Sequence, residues 1–161
     1  MSKKVQTPAN GYDMLKLKEK TAKKRYCIGI DPGTSTGFAI WDTQTREFIS
    51  LETVMIHKAF DRVQATISCF GKENIHVRYE DARLRNWFGT SGREKLQGAG
   101  SIKRDSTIWE DYLQSIQISF EKVAPKSNKT KMDAEPFNRL TRYKGRSSEH
   151  ARDAAMLVFG M

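Results

Sequence analysis

The chain has 161 residues, a formal net charge of +9 and an isoelectric point near 9.6. That length suits one domain around one core, and the charge favours a polyanionic partner, nucleic acid before an anionic membrane surface. No apolar run approaches the roughly 18 residues that a membrane-spanning helix needs, and no secretory leader is expected, because a long polar segment precedes the first apolar stretch.

Residues 1–25 read as a basic arm. Lys3, Lys4, Lys16, Lys18, Lys20, Lys23, Lys24 and Arg25 face only Asp13 and Glu19. Such a segment is either a solvated tail or a DNA-contacting arm. Residues 26–161 form the folded domain. Tyr26–Ile30 predicts a short buried strand that delivers Asp31 into a Pro32–Gly33 turn. Phe38–Trp41 and Phe48–Ile56 predict a second and a third strand. Phe60, Val63, Ile67 and Phe70 recur at helical spacing, so residues 59–70 predict an amphipathic helix. Asn74–Tyr79 alternates as a fourth strand and runs directly into Glu80 and Asp81. Ile108, Trp109, Tyr112, Leu113 and Ile116 form a helical stripe, and Gln117–Val123 predicts a fifth strand. Helices around 130–141 and 147–160 close the chain. The sum is an α/β fold, a mixed five-stranded sheet flanked by helices. Cys27 and Cys69 lie in apolar strand- and helix-like contexts and read as buried free thiols of a reducing compartment.

An apolar strand that ends in a lone acid is costly unless a cation or polar group meets the acid. Asp31 ends the first strand and Glu80 the fourth, and His150 and Asp153, three residues apart, share one face of the last helix. Acids at the ends of neighbouring parallel strands occupy the usual site position of open α/β sheets. Should the last helix cross that crevice, three carboxylates and an imidazole converge. Such a set repels itself unless divalent cations fill the space. Oxygen-rich sites suit Mg²⁺ or Mn²⁺, and two such ions activate water and stabilise a leaving oxygen in phosphodiester hydrolysis. Asp81 is the alternative to Glu80, but successive strand residues point to opposite faces, which favours Glu80.

Gly29-Ile30-Asp31-Pro32-Gly33 with Thr36-Gly37-Phe38-Ala39 resembles the opening of RuvC-type Holliday junction resolvases, of the RNase H-like superfamily. Tyr79-Glu80 resembles that family's second acidic motif, and His150-Ala151-Arg152-Asp153-Ala154-Ala155 its last. The likeness runs from about residue 26 to 160. It implies an RNase H-like sheet and an endonuclease that cleaves four-way DNA junctions by paired symmetric nicks. It also implies that Asp31, Glu80, His150 and Asp153 are the catalytic metal ligands for two Mg²⁺ ions, with Mn²⁺ able to substitute. Asp31 would bridge both ions, and His150 would stand where many relatives have Asp. An imidazole there leaves the set one negative charge poorer and predicts a steeper loss of activity below neutral pH than an aspartate would give. The basic arm departs from the family, whose members usually begin almost at the first strand.

Arg83, Arg85, Trp87, Phe88 and Arg93 follow the second acid. The basic groups suit phosphate contact, and either aromatic could stack on an unpaired base or simply pack beneath its loop. Gly89, Gly92, Gly98 and Gly100 predict flexibility in this stretch. Lys126, Lys129, Lys131, Arg142, Lys144 and Arg146 bracket the penultimate helix and form a second candidate DNA-binding group, Lys131 foremost. Two symmetric nicks imply a homodimer, for which the stripe from Ile108 to Ile116 is a candidate interface, although most of it should be core. Branched DNA is the expected partner, with no membrane and no small-molecule cofactor. The expected setting is cytoplasmic, in a bacterial cell or a phage-infected host, rather than organellar. Rival readings are an RNase H-like nuclease acting on RNA, an RNA–DNA hybrid or flapped DNA, and a DNA-binding module without catalysis. An actin- or sugar-kinase-like nucleotide-binding protein shares the first Gly-rich loop, but such proteins need two lobes and a second Asp-Gly loop.

Overall fold

In the computed structural model, which describes residues 23–84, 93–125 and 131–161, five strands form one sheet in the order β3-β2-β1-β4-β5. Strands β1 (Tyr26–Asp31), β2 (Ser35–Asp42) and β3 (Glu47–Met55) make an antiparallel meander, and β4 (Ile75–Glu80) and β5 (Ser119–Val123) extend it parallel to β1. Helices α1 (Ile56–Phe70) and α2 (Arg93–Ser115) connect the later strands, and α3 (Ala134–Thr141) and α4 (Glu149–Met156) follow β5. The mixed α/β sheet flanked by helices is therefore present.

Period-two alternation divides the core between the two faces of the sheet. Ile28, Ile30, Val77 and Tyr79 pack on one face with Val63 of α1 and Trp109 and Leu113 of α2. Burying an aliphatic side chain of this kind contributes about 1.5–3 kcal/mol, so this face holds most of the fold's apolar stabilisation. On the opposite face Ala39 meets Phe137 of α3 and Ala154 and Ala155 of α4, while Cys27 and Trp41 meet Val158. Where α4 meets β2 the contact residues are small, and the helix comes close, while the rings of Trp41, Phe48, Phe137, Tyr143 and Phe159 pack together over the rest of that face.

Three sequence expectations need correction. Helix α2 begins at Arg93 and takes in Gly98 and Gly100, where the glycines predict flexibility; its first half is polar and carries no apolar period. Most of the aromatic stripe is core, as expected: Trp109 and Leu113 are fully buried, Tyr112 and Ile116 pack against them, and only Ile108 of it is exposed. Cys27 is buried as expected, but Cys69 is exposed, because it lies off the Phe60–Val63–Ile67–Phe70 stripe. Arg25, counted with the basic arm, pairs with the buried Asp42 at 3.0 Å and belongs structurally to the domain. Among the described residues no helix is long and apolar enough to cross a membrane.

Candidate functional site

Ile30 of β1 pairs in parallel register with Tyr79 of β4, so the next residues, Asp31 and Glu80, end neighbouring strands at the same edge. Alternation sends both to the face opposite Ile30 and Tyr79, the face that carries α4. That helix lies unusually close to the sheet. A Cβ on Gly29 would overlap the carbonyl oxygen of Ala154, and one on Gly37 would overlap that of His150. Glycine in a strand interior marks such close backbone approach. The start of α4 is fixed by Ser148, whose hydroxyl accepts the Ala151 N–H at 3.2 Å and also contacts the hydroxyl of Thr53 on β3.

This docking brings His150 Nδ1 to 2.9 Å from Asp31 Oδ2, between residues 119 apart in sequence. Burial pushes the Asp31 carboxyl above the ordinary range; the hydrogen bond to His150 opposes the rise and the charge of Asp153 adds to it. Burial likewise raises Asp153, with the Lys131 ammonium opposing and the Glu149 carboxylate adding. Lys131 pairs with Glu149 in the first turn of α4, and its charge reaches both Asp31 and Asp153. The Arg152 guanidinium donates to the carbonyls of Met132 and Ser147, each at 2.6 Å, and so ties the chain beside Lys131 to the helix bearing Asp153.

Asp81 is excluded from this cluster. It is 1% exposed on the other side of the sheet, held by Arg83 at 2.6 Å, and Arg83 also pairs with Glu110 of α2. The expectation of a DNA-contacting Arg83 meets a different environment, in which two carboxylates already engage the guanidinium. Arg142, Lys144 and Arg146 are exposed at the end of α3 and beyond it, and Arg139 pairs with Glu135. Arg93 heads α2. Arg85, Trp87, Phe88, Lys126 and Lys129, and residues 1–22 of the arm, lie outside the described residues.

Asp31, Asp153 and Glu80 are hard oxygen donors, and His150 supplies nitrogen. Two half-buried carboxyls, each held above its ordinary range, are groups whose charge a divalent cation would relieve. The donor chemistry therefore suits Mg²⁺. The side chains are not drawn together into a ligand cage, since among the described residues no group of three or more His, Cys, Asp or Glu is placed to hold a metal ion. Asp31 and His150 instead bond each other.

Sequence reading missed Gly29 and Gly37 as the seats of α4, and Arg152 as a tether. The signal for the glycines was present, as interruptions inside two otherwise apolar strands; nothing in the pattern marked Arg152. No protein-family model matches the chain, and no curated protein matches it.

Proposed function

We propose that the chain is a metal-dependent nuclease of the RNase H-like class. Within that class, the activity proposed is resolution of four-way DNA junctions by paired symmetric nicks. The observation that carries the reading is the meeting of Asp31, at the end of the first strand, with His150 of the last helix, one turn ahead of Asp153. The strand order β3-β2-β1-β4-β5, with an antiparallel meander followed by parallel strands, agrees with the sheet expected of that class. The net charge of +9 supports a polyanionic substrate held outside the acidic cluster.

Asp31, Glu80, His150 and Asp153 would hold Mg²⁺, or Mn²⁺ in its place. When bound, the metal supplies an activated water and charge stabilisation at the scissile phosphate. Asp31 and Asp153 provide the negative charge that draws the cation in. Lys131, whose charge reaches both acids, would meet the phosphate next to the cleaved bond. Arg152 holds the Lys131 segment against α4 and thereby sets its distance from Asp153. A homodimer acting in a cytoplasmic setting would place two such sites on one junction.

The test is cleavage of a labelled panel in Mg²⁺ and in Mn²⁺: a four-way junction, a flap, linear duplex and an RNA–DNA hybrid, with Asp31→Asn as control. Paired symmetric nicks in the junction, lost in Asp31→Asn, are expected. Preference for the flap or the hybrid would replace the substrate while keeping the class. Tight junction binding without cleavage would reduce the protein to a binding module.

A further inference from the structure

At the end of β2 far from Asp31, a cavity of about 730 Å³ opens between the β2–β3 hairpin and the end of α3. Trp41 lies four residues beyond Gly37, roughly 13 Å along the strand at about 3.3 Å per residue, so this cavity is separate from the acidic cluster. Its lining residues include the aromatic Trp41, Phe48, Tyr143 and Phe159, whose rings pack on one another, and the cations Arg46, Arg142 and Lys144, against one acid, Glu47. None of the three cations makes an ion pair with a described residue, in contrast to Arg25, Arg83 and Lys131. Volume, aromatic walls and unpaired positive charge together match a ligand that is planar at one end and anionic at the other.

Two further features converge on the same place. Among the described residues only Arg46, Gln117 and Arg142 combine a side chain with a left-handed backbone, and two of these three line the cavity, with φ of 57° and 60°. Arg46 closes the hairpin turn that Asp42 organises by accepting the Gln44 N–H at 2.8 Å, and Arg142 caps α3; glycine fits both positions with less strain. Arginine in this conformation at two positions lining one cavity carries a backbone cost that a use for the guanidinium groups would offset. Trp41, one of the lining residues and only 2% exposed, keeps its indole N–H without an acceptor among the described residues.

We propose that this cavity is a second, non-catalytic site for a nucleotide, with the base against the Phe48 and Tyr143 rings and the phosphate on Arg46, Arg142 and Lys144. The nucleotide is either free or one unit of a single strand; the recognition chemistry is the same. The site involves none of Asp31, Glu80, His150 and Asp153, so it stands whether or not the chain cleaves DNA.

The experiment is photocrosslinking of the full chain, carrying Asp31→Asn, to 5-iodo-deoxyuridine monophosphate and separately to a short single strand containing 5-iodo-deoxyuridine. The crosslinked peptides are then mapped by mass spectrometry. Adducts are expected on the peptides holding Phe48 or Tyr143. Two charge-assisted phosphate contacts are removed in Arg46→Gly/Arg142→Gly, so the yield there should fall at least about tenfold. Glycine suits both left-handed positions, so the melting temperature of that variant should be unchanged or higher. Should the variant melt lower, Arg46→Asn/Arg142→Asn, which also tolerates this backbone, takes its place. Crosslinking of both probes identifies a site open to free nucleotide, and crosslinking of the strand alone a site for nucleic acid. Adducts confined to other peptides, or an undiminished yield in the variant that keeps its fold, would overturn the proposal.

Discussion

Gly37 and His150 meet backbone to backbone: a Cβ on Gly37 would overlap the His150 carbonyl oxygen, so β2 and the first turn of α4 touch with no side chain between them. His150 reaches Asp31 through this contact, and the same glycine stands opposite Asp31 in the β1–β2 register.

Replacing Gly37 with alanine should therefore move the helix rather than merely crowd it. The obstacle is backbone, which cannot rotate away, so a loss of about 1–3 kcal/mol in stability is expected from overpacking. Junction cleavage should fall further than that loss explains, because His150 and Asp153 shift together relative to Asp31. Urea denaturation and cleavage rates, measured well below the melting temperature, separate the two effects. Wild-type cleavage by a Gly37→Ala protein would show that the helix position is unimportant.

Arg83→Met should destabilise the chain near neutral pH by about 3 kcal/mol, as expected when a buried carboxylate loses its partner. Burial pushes the Asp81 carboxyl up, but its bonds to Arg83 outweigh that and hold it below the ordinary range. Lys122 and then Arg83 likewise lower Glu110. Since both acids titrate lower when folded than unfolded, their contribution is complete above the ordinary carboxylate pKa, about 4, and disappears as pH falls through the depressed folded values. The gap between wild type and Arg83→Met should accordingly narrow on acidification from pH 7 through that range. A gap that stays constant with pH would assign the loss to packing instead.

Lys131→Ala should cost little stability, because an exposed pair such as Lys131–Glu149 contributes about 0–1 kcal/mol. Its expected effect is on DNA. Loss of one phosphate contact reduces the slope of log affinity against log salt by about 0.9. Junction binding by the Asp31→Asn protein across a salt series gives that slope directly. An unchanged slope would mean that Lys131 serves only to hold Glu149.

The ends of β1 and β4 were readable because a continuous apolar run in one and an apolar alternation in the other are each broken by an acid, and period two alone separates Glu80 from Asp81. The fifth strand and the core role of Trp109 and Leu113 followed from apolar spacing in the same way. Other features left no such mark. The first half of α2 is polar with two glycines, so neither propensity nor periodicity announces a helix there. Arg83 looked like a free cation because its partners are Asp81, two residues away around a tight turn, and Glu110, on a distant helix. The Asp31–His150 contact spans 119 residues and depends on how closely α4 can approach the sheet, which spacing along the chain does not encode.

Helix α4 spans eight residues and meets the sheet largely through alanines and backbone, whereas the opposite face is held by large side chains from α1 and α2. Its local unfolding free energy should lie below that of the sheet. On the proposed reading, half of the acidic cluster then belongs to an element that opens before the sheet does. Heating would silence the enzyme before circular dichroism registered any loss of strand, and its working temperature would be set by one short helix.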